Sequence, residues 1–115
     1  MILPLLCIIM LMFQQGQTQS DEIRVAVASN FTSTMKEIVR AFEKKSPVHV
    51  TVMSGSTGKH YAQIRNGAGV DVFFAADTAR PRLLESEGIA FAGSRFTYAV
   101  GKIVLWSPRR KYVYP

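Results

Sequence analysis

The chain has 115 residues, which allows one modest domain at most. Hydrophobic residues make up 48% and charged residues 19%, a balance that argues against disorder and for a packed core. The net charge is +6, but it is scattered. Lys44 and Lys45 sit near an expected helix end and Arg109, Arg110 and Lys111 in the tail, so no basic stripe points to nucleic acid.

Residues 2–13 are almost unbroken hydrocarbon, followed by a small, polar stretch to Ser20. An apolar run of about twelve residues is too short for a membrane-spanning helix, which needs roughly twenty. It fits the apolar region of a secretory signal peptide over residues 1–20, with cleavage expected near residues 19–21. No Lys or Arg precedes the run, a departure from the usual signal. The single cysteine, Cys7, lies inside it. Six residues before it are too few for a lipoprotein signal, so it reads as a small hydrophobe, lost on processing. The remainder has no cysteine for a disulfide or a thiolate metal site.

Beyond residue 21 the periodicity switches regularly. Ile23, Val25 and Val27 alternate and predict a buried strand over 22–28. Met35, Ile38, Val39 and Phe42 fall on one face of a helix predicted over 31–45, ended by Ser46-Pro47. Residues 48–53 alternate again as a second strand. A polar turn follows over 54–59, then a short helix over 61–65 stopped by Asn66-Gly67. Residues 70–75 predict a third strand. A third helix spans 80–87, with Pro81 early and Gly88 past its end. Residues 96–106 form a fourth apolar, strand-like run. This order predicts an α/β fold with an open, mostly parallel sheet and helices on its faces. Ligands of such sheets bind beyond the carboxyl ends of the strands.

Two strand-to-helix junctions carry candidate chemistry: Ala28-Ser29-Asn30-Phe31-Thr32 and Ser54-Gly55-Ser56-Thr57-Gly58-Lys59. Either alone reads as helix capping. Two of them at neighbouring carboxyl edges would present hydroxyls, amides and two helix dipole ends to one point, an anion site without a formal positive charge. Ser29, Asn30, Ser56 and Thr57 are the candidate oxyanion-binding residues.

Competing motifs fail. A nucleotide-binding loop needs four residues between its glycines and a Ser or Thr after the lysine. Here two residues intervene, and His60 follows Lys59. His49 and His60 have no further histidine or carboxylate at ligand spacing; the first is expected to face out of a strand and the second to lie on a helix surface, so no metal site is predicted. No nucleophile–base–acid set is recognisable, so no catalytic residue is assigned. Asp71 reads as a strand-edge residue and Asp77 as a helix cap; neither should touch a dianion, because like charges repel.

Several segments in order carry a resemblance: Ala28-Ser29-Asn30-Phe31, Gly55-Ser56-Thr57-Gly58-Lys59, Tyr61-Ala62-Gln63-Ile64, Asn66-Gly67-Ala68, residues 71–77 and residues 93–99. Over roughly 22–108 the chain resembles the periplasmic molybdate-binding proteins of molybdate ABC importers. The resemblance implies one lobe of a two-lobed, type II-like periplasmic binding protein, with the second lobe missing. It implies a monomer in the periplasm, without a cofactor, that binds molybdate or tungstate and delivers it to an importer permease. In that family the first corner and the Ser-Gly-Ser-Thr-Gly-type loop bind the oxyanion, which here means Ser29, Asn30, Ser56 and Thr57. Thr57 stands where a second serine is common, and its hydroxyl is still a donor. Residues 109–115 do not resemble the family's continuation, so a truncation or frameshift is expected. A fragment that no longer binds the ion, or only contacts other proteins, and a small ester hydrolase using the serines are the alternatives.

Overall fold

A computed structural model describes residues 21–109. The expected signal peptide, and the tail from Arg110 onward, lie outside the described residues. The chain divides into two compact units, at Ala76 and Asp77.

The first unit is an α/β layer. Strand β1 (Glu22–Ala28) leads through a 3-10 turn (Ser29–Phe31) into helix α1 (Thr32–Glu43). Strand β2 (His49–Gly55), helix α2 (Thr57–Arg65) and strand β3 (Val72–Phe74) follow. The sheet order is β2-β1-β3, and both ladders are parallel. The register runs from Glu22 opposite His49 to Ala28 opposite Gly55. On the other side Val25 pairs with Val72 and Val27 with Phe74.

The period-two pattern of β1 explains its central place. Val25 and Val27 point to one face, where they join Met35, Val50 and the partly buried Ile23, Phe31, Val39, Val52 and Phe74. The other face of β1 offers Ala26 and Ala28, both buried. Their small side chains leave room for α2 to approach. Right-handed crossovers then place α1 and α2 on opposite faces, because the step from β1 to β2 is reversed by the step from β2 to β3.

At the amino edge, Asp71 pins the start of β3 to β1. Its carboxylate accepts the Arg24 amide at 2.7 Å, and its own amide donates to the Arg24 carbonyl at 2.9 Å. Asp71 thus has the strand-edge role, at the end of the sheet remote from the carboxyl-edge loops.

The second unit contains helix α3 (Ala79–Ser86). Asp77 caps its start: Oδ1 accepts the Arg80 amide at 2.9 Å and Oδ2 the Arg80 guanidinium at 2.7 Å. Partial burial works to raise the Asp77 pKa, but these bonds and the Arg80 charge outweigh it and hold the carboxyl below its ordinary value. Glu85 accepts from the Gly93 amide and the Arg95 guanidinium, which likewise lower its pKa.

Three expectations need correction. The fourth strand over 96–106 does not form; that run is irregular and exposed, with Val100 83% and Ile103 fully accessible. A strand needs a sheet to join, and the described sheet, in the order β2-β1-β3, does not include this run. The polar turn over 54–59 shrinks to one residue, Ser56, since β2 runs through Gly55 and α2 begins at Thr57. The apolar stripe of α1 is only half used: Met35 is buried and Val39 half-buried, while Ile38 and Phe42 stay exposed.

Candidate anion-binding site

The carboxyl ends of β1 and β2 are level, because Ala28 pairs with Gly55. From this shared edge the chain leaves in opposite directions, into α1 on one face and α2 on the other. Adjacent parallel strands whose loops diverge in this way open a crevice at their carboxyl ends. The residues that follow are Ser29 and Asn30 in the first corner, and Ser56 and Thr57 in the second. The four candidate residues therefore come from two loops that leave neighbouring carboxyl ends toward opposite faces of the sheet. Ser29, Asn30 and Ser56 are exposed, and Thr57 is half-buried.

Each corner is fixed by local chemistry. Ser56 stands in extended conformation at the N-cap of α2, and its Oγ accepts the Lys59 amide at 3.3 Å. Thr57 Oγ1 accepts the Ala76 amide at 3.0 Å. Because β1 separates β2 from β3, this bond spans the end of the central strand. A hydroxyl that accepts one bond keeps its proton for another partner. On the α1 side, the hydroxyls of Thr32 and Ser54 share a 2.6 Å hydrogen bond, tying the start of α1 to the end of β2.

The electrostatics favour an anion. Neither α1 nor α2 has an acidic residue in its first turn. Phe31, at the N-cap of α1, supplies no side-chain hydrogen bond to that turn. The positive ends of two helix dipoles are left without a built-in counter-charge.

His60 is the largest departure from expectation. It is buried, with 4% of its surface accessible, rather than on a helix surface. Its Nε2 lies 3.2 Å from the Val27 carbonyl, and its ring meets Phe73 edge-on at 6.1 Å. Starting α2 at Thr57 explains this: positions 57, 60, 61 and 64 then share the inward face. The spacing was readable, but a helix begun at 61 hides it. Gly55 was missed for the same reason. A Cβ there would lie 2.9 Å from His60 Nε2. His49 is exposed as expected, and its Nδ1 lies 2.8 Å from Glu43 Oε1 at the amino end of β2.

Comparison with known proteins agrees with this architecture. The model of the bacterial extracellular solute-binding proteins matches residues 23–113. The molybdate-binding protein ModA of Azotobacter vinelandii is 55% identical over 95 residues, covering 83% of this chain and 38% of that protein. Its counterpart from Rhodobacter capsulatus is 50% identical over 88 residues, 76% of this chain and 35% of the relative. The solved periplasmic molybdate-binding protein of Azotobacter vinelandii superposes with a TM-score of 0.67 at 46% identity, over 70% of this chain and 35% of that one. The chain thus spans little more than a third of the length of these relatives.

Proposed function

The chain belongs to the bacterial extracellular solute-binding proteins, and from that premise we propose that it binds molybdate or tungstate in the periplasm for an ABC importer. Support comes from the molybdate-binding relatives at 50–55% identity. The observation that carries the site is the level, diverging pair of corners after β1 and β2. In this reading Ser29, Asn30, Ser56 and Thr57 donate hydroxyl, amide and backbone hydrogen bonds to the oxygens of the ion. The two helix ends supply the balancing positive potential, and no lysine or arginine touches the ion. The ion is held as an oxyanion, without bonds from metal to protein. No catalytic step is assigned, and the partner is the importer's permease, met by a monomer.

Selectivity follows from size. Molybdate and tungstate match in size and charge, so both should fit. Sulfate is smaller, and in a cavity of fixed dimensions its hydrogen bonds become longer and weaker.

The chain spans only part of its relatives, which bears on how tightly this span alone would hold the ion. It covers 38% and 35% of the two curated relatives, so part of a two-lobed site would lie outside it. Each charge-assisted hydrogen bond contributes on the order of 1.5–3 kcal/mol, so losing three weakens binding by roughly three orders of magnitude or more. The part of the site that lies within this span would on its own hold the ion weakly. Calorimetric titration with molybdate, for the chain and for its Ser29→Ala/Thr57→Val variant, tests the reading. Binding by the parent that falls by about two orders of magnitude or more in the variant supports it. Equal affinity in both removes these residues from the site.

A further inference from the structure

We propose that His60 is the positioning residue of the anion site, holding the Ser56–Thr57 corner at a fixed distance from the Ser29–Asn30 corner. The proposal rests on the site reading above, but its geometry stands without a ligand.

His60 makes two bonds in two directions. Its backbone amide donates to the Ser56 carbonyl at 3.1 Å, the first helical bond of α2. Its ring Nε2 lies 3.2 Å from the Val27 carbonyl, two residues before Ser29. A carbonyl can only accept, so Nε2 carries the proton. One residue therefore links the peptide of Ser56, beside Thr57, to the strand end that carries Ser29 and Asn30.

The packing leaves the ring little freedom. Phe73 of β3 meets it edge-on, with centroids 6.1 Å apart. Gly55 lies on its other side, so close that a methyl group there would stand 2.9 Å from Nε2. With Ala28 paired to Gly55, the ring is wedged beneath the point where β1 and β2 end together. A buried imidazole at this place is more than filler. A leucine would fill similar space without the bond to Val27, leaving the corner held only by the β1–β2 ladder and the Thr57–Ala76 and Thr32–Ser54 bonds.

Oxyanion recognition depends on such spacing, because hydrogen bonds weaken steeply when donor and acceptor drift apart. His60 then tunes affinity without touching the ion. Gln is the informative replacement. Its Nε2 donates and is as many bonds from Cα as the imidazole Nε2, whereas Leu has no donor.

The test compares the chain with its His60→Leu and His60→Gln variants. Two properties are measured: 15N order parameters at Ser56, Thr57 and Gly58 without ligand, and molybdate affinity by calorimetry. A positioning role predicts rigid amides, near 0.85, in the parent and Gln forms and a drop below about 0.6 in the Leu form. It also predicts about tenfold weaker molybdate binding for Leu, with Gln close to the parent. A purely structural role would lower the melting temperature yet leave the order parameters and affinity of the folded protein alike in all three. That result overturns the proposal. Should the Leu form not fold, His60→Asn, polar but one bond shorter, takes its place with the same two outcomes. If the parent does not bind molybdate but the order parameters separate as described, the ligand reading falls and the positioning role of His60 stands.

Discussion

Ser56 has one job in this structure and a second in the proposed function, and one substitution separates them. Its hydroxyl caps α2, and it stands in the proposed anion site. Aspartate is as good an N-cap as serine, but it would bring a negative charge against a dianion. Ser56→Asp should therefore leave the melting temperature near the parent value while abolishing molybdate binding. Ser56→Ala should cost about 1 kcal/mol of stability through the lost cap. If Ser56→Asp binds molybdate as the parent does, Ser56 is a cap alone. Asp77 gives the pH-dependent counterpart. Its pKa is held below the ordinary value, so the folded form favours the ionised carboxylate. That stability is present above the unfolded pKa and is lost as pH falls through the lower folded one. Melting curves should show the parent losing more stability than Asp77→Asn as pH drops below about 4. Parallel curves would remove Asp77 from the acid response.

At the scale of elements, two close approaches decide how the sheet edges are built. Gly55 lets the His60 ring of α2 lie close over the end of β2, where it occupies the space that a side chain would need. Gly55→Ala should cost about 1–3 kcal/mol in chemical denaturation, the range expected for overpacking. A neutral result would mean that α2 shifts without penalty. Asp71 belongs to the opposite edge. Asp71→Ala keeps the amide bond to the Arg24 carbonyl but removes the carboxylate that accepts the Arg24 amide, so it should loosen β3 and lower stability by about 1 kcal/mol, leaving molybdate affinity unchanged. Much of this organisation was legible in the sequence. Alternation in Ile23, Val25 and Val27 and the polar corners placed β1, β2, α1 and α2 in order. The exact start of α2 was not, because Ser54 to Lys59 reads as a loop by composition. Only tertiary contact turns Ser54 and Gly55 into strand and Thr57 onward into helix. The mistake over His60 followed from that boundary.

At the scale of the whole molecule, the apolar run over 96–106 is the feature that sequence periodicity reads least well. Alternation reports that a segment suits a sheet, but it does not supply the neighbouring strand. Phe96, Val100, Ile103, Val104, Leu105 and Trp106 are each at least three-quarters accessible. Exposed apolar clusters of this kind drive association or aggregation. Light scattering should show aggregates growing with concentration beside the monomer, reduced by Ile103→Lys. A strictly monodisperse sample at high concentration would mean that the run is covered in solution. The position of Ser29, Asn30, Ser56 and Thr57 at two strand-to-helix corners was also legible in the sequence, because small polar residues there have few roles besides capping and anion binding. That those corners are level across the sheet required the register of Ala28 with Gly55.

The account depends on an uncharged site built from these two corners. Calorimetric titration of the chain with molybdate, repeated with Ser29→Ala/Thr57→Val, tests it most directly. The account predicts measurable binding that sulfate displaces poorly and that the double substitution weakens by about two orders of magnitude or more. Molybdate binding left intact by the double substitution would contradict it.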